Sequence, residues 1–426
     1  MAHAQFERAL EYVTCDAVQD TLMAMVDIAS PTGGEGEMAR FILERLASAG
    51  IVSYPQWVDE GRPNAVGNLP GVGDGYNLLL TGHMDTSYSG EEEELVGEGF
   101  KPVAVERDGW IWGLGSNNMK SGLAAALVVL EALVKAKVRL RGDVIYAGVV
   151  GEIEKAPIEE FQGIAFSGYG SGSKHLVTHG VTADFALLSE PTGMRICTAN
   201  MGCIWFRVTV RGTVNHSAFS NRPGIVNAIE LMNDLQRDLK NWAKEYESQN
   251  EYAGEHPNVT MGAIRGGAPW RLSRNPHNCS LYFEARTVPG QTTESIKRQV
   301  RSVLTAFAKR TDTPEPEMFV YVTDPPLEID ASLPVVEALS RAQKEVCGEA
   351  LWHSIRRPGA DAIHFSSYGV PCVQFGPGMA RTHPEAKGRL IHEMGEHVYT
   401  EDVHAAAKIY LATVMDVCNR PVADRH

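Results

Sequence analysis

Three stretches of this chain place ionisable side chains directly after strand-like apolar runs. "NLLLTGHMD" ends in His83 and Asp85, "DVIYAGVVGEIE" runs into Glu152, and "ADFALLSEPTG" runs into Glu190. Imidazole and carboxylate groups ligate cations and move protons, and four of them at strand ends are hard to account for by packing. A fourth stretch, "WGLGSNNMKSG" from Trp112 to Gly122, reads as a metal-site loop between a strand and a helix. It carries Asn118 where such a loop usually has a carboxylate. Taken alone, the H-x-D pair of His83 and Asp85 is equally a hydrogen-bonded strand terminus.

These residues need elements that bring them together. Helix-like runs alternate with short buried strands, which predicts an α/β fold with helices on both faces of a sheet. In such sheets, sites form at the carboxyl ends of the strands. The segment from Gln5 to Ala49 predicts two helices around a turn at "SPTGGEGE", with Ser30 or Thr32 capping the second. A helix from about Ser121 to Lys137 follows the metal-site loop. "SGYGSGSKH" reads as a flexible loop and lacks the G-K-[ST] ending of a phosphate loop.

Near Asn200 the texture changes. "CIWFRVTVRG" alternates apolar and polar residues, as a half-exposed antiparallel strand does. The order from there is β-α-β-β-α-β, a small α+β module. After Pro325 the α/β pattern resumes and ends in a helix from about Thr400 to Cys418. The predicted organisation is a discontinuous catalytic domain, 1–198 and 325–426, with residues 199–324 inserted as a second domain.

The bulk properties agree. A chain of 426 residues exceeds one compact core. A formal net charge of −14 disfavours nucleic acid and anionic membranes as partners. No apolar run approaches the ~18 residues of a spanning helix. Seven scattered cysteines without a C-x-x-C pair, and an N-terminus without an apolar signal core, predict reduced thiols and a cytoplasmic location.

Six blocks occur in an order and spacing that resemble the M20 metallopeptidase/amidohydrolase family. They are "GHMDT", "DGWIWGLGSNNMKSG", "SEPT", "RGTVNHSAFSNRPGIVNAI", "NPHNCSLYFEARTVPG" and "IHEMGE". The family includes aminoacylases, succinyl-diaminopimelate desuccinylase and glutamate carboxypeptidase. The resemblance implies a mixed sheet flanked by helices, an inserted lid that usually dimerises, and a site for two zinc ions. By the same resemblance, His83 and Glu190 ligate the first ion, Asp85 orients His83, and Glu152 is the general base. His392 is the histidine of the second ion. His216 is a lid residue that polarises the substrate from a neighbouring subunit, and Arg286 meets a substrate carboxylate. Arg357 and Gly359, in "RRPGADA", belong to a substrate-binding loop.

Two positions depart from the family pattern. Asn118 replaces an aspartate that bridges both ions, and Ile153 replaces a glutamate on the second; a local shift would make Glu154 that ligand instead. A carboxamide offers one neutral oxygen, and isoleucine offers none. The expectation is one weakly held divalent ion (manganese, zinc, cobalt or iron) at His83, Asn118 and Glu190, with His392 as a fourth ligand or a substrate contact. A substrate that supplies its own activation suits such a site. With these altered ligands the chain also resembles an aminohydrolase branch of the family, and that resemblance implies a reaction that replaces an activated aromatic amine by hydroxyl, as in 5-nitroanthranilate to 5-nitrosalicylate plus ammonia. Two other readings stay open: an amidohydrolase or dipeptidase of the same family, and a non-catalytic binding protein.

Overall fold

The structure, a computed structural model, describes residues 2–386 and 394–422. The chain divides into two units. The first comprises Met1–Thr198, Ile329–His353 and Ala360–His426; the second comprises Ala199–Glu328 and Ser354–Gly359. Ser354–Gly359, with Arg357 and Gly359, thus groups with the second unit, whereas the sequence reading assigns 325–426 to the catalytic domain.

The second unit has the predicted β-α-β-β-α-β order. Its four-stranded antiparallel sheet runs Val259–Gly266, Asn278–Thr287, Gly202–Arg211, Glu317–Asp324. Helices Ala228–Gln249 and Thr293–Thr311 are capped by Asn227 and Thr292, whose side chains accept main-chain N–H groups. Their apolar stripes, including Leu235, Leu239, Val300 and Leu304, pack with Ile204, Phe206, Val208 and Val210 from alternate positions of one strand. The edge strand Val259–Gly266 is largely exposed.

In the first unit, a six-stranded sheet has the order Val52–Asp59, Arg62–Leu69, Val144–Val149, Leu78–His83, Phe185–Leu188, Cys372–Gln374. The first two pairings are antiparallel and the rest parallel. Helix Lys120–Lys135 has its first fourteen residues buried, which its uniformly apolar sequence requires. Gly122 explains how close it comes: a Cβ there would meet the Ser189 carbonyl oxygen at 2.3 Å. No described helix is long and apolar enough to cross a membrane.

Three expectations need correction. The N-terminal segment forms three helices, Ala2–Leu10, Cys15–Val26 and Gly36–Ser48. Neither Ser30 nor Thr32 caps the last, whose N-cap is Glu35. Those hydroxyls instead donate to the Met84 carbonyl and the Asp85 carboxylate, a buried demand that outweighs local capping. "SGYGSGSKH" is half helix, Ser171–Thr178, because Ser173, Leu176 and Val177 bury one side. Strands Val52–Asp59 and Arg62–Leu69 escaped the sequence reading because each contains a proline; Pro55 is tolerated on the sheet edge.

A buried ion pair braces the sheet's functional end. The Arg62 guanidinium donates to both Glu35 oxygens, at 2.9 and 2.6 Å, with neither side chain exposed. Glu35 also accepts the Gly151 N–H at 3.1 Å, and Arg62 donates to the Ser167 carbonyl. Gly151 sits at φ +64°, where any side chain would meet Ser171 and Arg62. Removing one partner strands a buried charge, so Glu35→Ala should destabilise the protein by about 3–5 kcal/mol. Urea unfolding followed by circular dichroism checks this; a cost below about 1 kcal/mol would assign the pair a surface-like role.

Candidate metal centre

The sheet register converges the sequence candidates. His83 ends its strand opposite Val149, three residues before Glu152. The neighbouring parallel strand ends at Leu188, two residues before Glu190. The loop that carries Asn118 runs from strand Trp110–Trp112, part of a separate three-stranded sheet, into helix Lys120–Lys135. Glu396 holds that loop by accepting the Asn117 and Asn118 N–H groups at 3.2 and 2.9 Å. Lys120 anchors its far end, donating to the carbonyls of Met25 and Ile28. Burial pushes this lysine down to about 7, with Glu396 and Asp27 opposing.

His83, Glu152 and Glu190 are buried, and their ligand atoms all lie within 4.8 Å of one another. His83 Nδ1 is 2.9 Å from the main-chain oxygen of Asp85, and 3.5 Å from its carboxylate. A carbonyl oxygen only accepts, so Nδ1 carries the hydrogen. In the neutral ring Nε2 then presents a lone pair, which faces Asn118 Oδ1 at 3.1 Å and Glu152 Oε2 at 3.5 Å. Acceptors aimed at one another need a proton, on Nε2 or on Glu152, or a cation between them. An imidazole nitrogen, an amide oxygen and carboxylate oxygens are donors that divalent transition ions accept.

Asp85 does more than orient His83. Its carboxylate accepts the N–H groups of Glu152 at 3.0 Å and Ile153 at 3.1 Å, and the Thr32 hydroxyl at 2.9 Å. Burial alone would raise its pKa, but bonding to His83, Glu152 and Thr32 holds it below the ordinary value. For His83, burial pulls down, and Glu152, Asp85 and Glu190 outweigh it, so the imidazole stands well above its usual pKa. Burial lifts Glu152 far above the usual carboxylate range, Glu190, Asp361 and Asp85 add to this, and His83 opposes.

The remaining candidates are not all gathered here. Glu154 is not among the groups converging on His83, and Ile153 supplies no ligand. His392 lies outside the described residues. In the second unit, His216 is exposed, and its Nδ1 accepts the Ala218 N–H at 3.1 Å, so its neutral ring offers an Nε2–H donor. Arg286 is 8% exposed and pairs with Glu284 at 2.7 Å. Arg357 pairs with Glu255 at 2.7 Å, and the Gly359 carbonyl accepts from Arg356.

Two residues were missed within motifs already quoted. Glu396 closes "IHEMGE". Asp361 lies in "RRPGADA", fully buried, with Oδ2 accepting the Ser173 hydroxyl at 2.7 Å and no partner for Oδ1 among the described residues. Burial pushes Asp361 up to about 7; Glu190 and Asp85 raise it further, against Ser173 and His83. A buried acid beside the cluster has no periodic signature; only its place in the motif could have pointed to it.

An N-formyl-4-amino-5-aminomethyl-2-methylpyrimidine deformylase from Bacillus subtilis strain 168 is 24% identical over 94% of this chain and 93% of its own. A tripeptidase from Staphylococcus aureus superimposes with a TM-score of 0.74 at 19% identity, covering 96% of this chain and 99% of the tripeptidase. A dinuclear metal-binding peptidase of the M20 family from Bacillus subtilis does so at 0.66 and 15%, covering 95% and 98%. Residues 79–416 match the family described as Peptidase family M20/M25/M40. The chain therefore belongs to that family and is a metal-dependent hydrolase of the M20 type.

Proposed function

We propose that this hydrolase works with one divalent cation and exchanges the amino group of an activated aromatic amine for hydroxyl. 5-Nitroanthranilate is the proposed substrate, with 5-nitrosalicylate and ammonia as products. The observation that carries the reading is the donor set at the strand ends. His83, Glu152 and Glu190 stand together, Asn118 brings a neutral amide to the bridging position, and residue 153 is isoleucine. A site with fewer anionic donors than a dinuclear one suits a substrate that stabilises its own transition state. A nitro group para to the amine accepts the charge that a second cation would otherwise meet.

In this proposal His83, Asn118 and Glu190 hold the ion, which is manganese, zinc, cobalt or iron. When bound, it supplies Lewis acidity that makes water a nucleophile near neutral pH. Glu152 takes the proton as the water oxygen bonds to the amine-bearing ring carbon, and the nitro group holds the electron pair. Glu152 then returns the proton to nitrogen, the pair held by the nitro group returns to the ring as the C–N bond breaks with its own pair on nitrogen, and ammonia leaves. Burial that favours the protonated form of Glu152 suits this shuttle. Asp85 keeps His83 in the ligating tautomer and fixes the Glu152 turn. The proposal gives His216 Nε2–H the developing oxygen charge, Arg286 the substrate carboxylate, and Arg357 and Gly359 a substrate-facing loop. The exposed edge strand Val259–Gly266, with Ile264 outward, favours a homo-oligomer built on the second unit.

A second reading, amide hydrolysis at the same site, is favoured by the similarity to the deformylase over nearly the whole chain. Ammonia release from 5-nitroanthranilate, set beside hydrolysis of N-formyl amines, N-acyl amino acids and dipeptides, separates the two. Turnover of the nitroarene with little amide hydrolysis is expected; the reverse pattern establishes the second reading, and no turnover of either overturns both. Glu152→Gln should lower kcat by about 10²–10⁴-fold while the protein still retains its ion by elemental analysis. A variant with near-wild-type kcat would remove Glu152 from proton transfer.

A further inference from the structure

Away from that centre, a second group of ligating side chains converges among the described residues. The ligand atoms of Cys15, Glu401 and His404 all lie within 4.8 Å of one another. Cys15 opens helix Cys15–Val26, and Glu401 and His404, three apart on one face, sit in the first turn and a half of helix Thr400–Val417. Cys15 Sγ is 4.0 Å from Glu401 Oε1, and His404 Nδ1 is 3.9 Å from Glu401 Oε2.

The imidazole is already set for ligation. His404 Nε2 lies 2.9 Å from the Val13 main-chain oxygen. That oxygen can only accept, so Nε2 carries the hydrogen, and in the neutral ring Nδ1 turns its lone pair toward Glu401 and Cys15. A carbonyl on the far nitrogen is the usual means of fixing a ligating histidine. Around a tetrahedral zinc ion, bond lengths of about 2.0–2.3 Å place neighbouring donors roughly 3.5 Å apart. Cys15 Sγ and His404 Nδ1 each lie about half an ångström beyond that from a Glu401 oxygen, and all three ligand atoms fall within 4.8 Å. Glu401 is exposed and Cys15 half-buried, so rotation of these side chains closes the difference. Asp16 adds negative field at the thiol, and Lys408 offsets part of it.

We infer that Cys15, Glu401 and His404 form a separate binding site for a thiophilic divalent ion such as Zn²⁺ or Co²⁺, with water as fourth ligand. Sulfur excludes Mg²⁺ and Ca²⁺, and manganese is a poor competitor for a thiolate. Binding forms a sulfur–metal bond and releases the thiol proton to solvent. The ion ties helix Cys15–Val26 to helix Thr400–Val417, so its effect is on stability. The inference does not rest on the proposed reaction, since the donors at His83, Asn118, Glu152 and Glu190 contain no sulfur.

Titration of the full-length protein with Co²⁺, followed by thiolate-to-cobalt charge transfer in the near ultraviolet, tests it. A saturable band is expected that disappears in Cys15→Ser, weakens in His404→Ala, and persists in Cys347→Ser, which removes the exposed cysteine. Zn²⁺ should raise the Tm of the wild type more than that of Cys15→Ser, whose Tm in chelator should match the wild type. No band, or a band that survives Cys15→Ser, overturns the site. If Cys15→Ser unfolds, protection of Cys15 from alkylation by Zn²⁺ in the wild type decides in its place, and unchanged alkylation counts against the site.

Discussion

Acceptor atoms that converge in a buried space repel one another, and the whole catalytic end of this protein is organised around that repulsion. His83 Nε2, Asn118 Oδ1 and Glu152 meet with Glu190 at the ends of parallel strands. Two charged carboxylates within 4.8 Å of each other repel by about 3.5 kcal/mol or more at an effective dielectric of about 20. A proton on one of them or a cation between them relieves this. The surrounding structure holds the arrangement rather than letting it relax. Asp85 pins the Glu152 turn, Glu396 pins the Asn118 loop, and the Arg62–Glu35 pair pins Gly151. Gly122 lets the buried helix press against the strand that leads to Glu190.

The same electrostatics argues for one ion. Two dications about 4 Å apart, the spacing of two-metal sites, repel by roughly 17 kcal/mol at that dielectric. An anionic bridge between them offsets much of this, and a neutral amide offsets little. Asn118 therefore bears on the number of ions more than on the identity of the first. In the proposed function the carboxylates that remain, Glu190 as ligand and Glu152 as proton carrier, serve a substrate with its own electron sink.

Much of this was legible in the chain. Strand ends carrying His83, Glu152 and Glu190 announced themselves because an apolar run stops where a charge begins. The order of the inserted module was readable because amphipathic helices and alternating strands have distinct periods. The edge strand Val52–Asp59 and its neighbour Arg62–Leu69 were hidden because each contains a proline, which a propensity rule rejects and a sheet edge tolerates at Pro55. The roles of Ser30 and Thr32 were hidden because their partners, Met84 and Asp85, are more than fifty residues away. Asp361 and Glu396 lay inside recognised motifs, yet their importance comes from burial and from what they touch, which no local pattern encodes.

The number of ions the chain binds decides whether Asn118 marks a one-ion centre. Manganese suits the measurement because a thiolate site competes poorly for it. In a manganese titration of the metal-free wild-type protein followed by electron paramagnetic resonance, the account predicts saturation at one ion per chain with an uncoupled, mononuclear spectrum. Two ions per chain with a spin-coupled spectrum would contradict it.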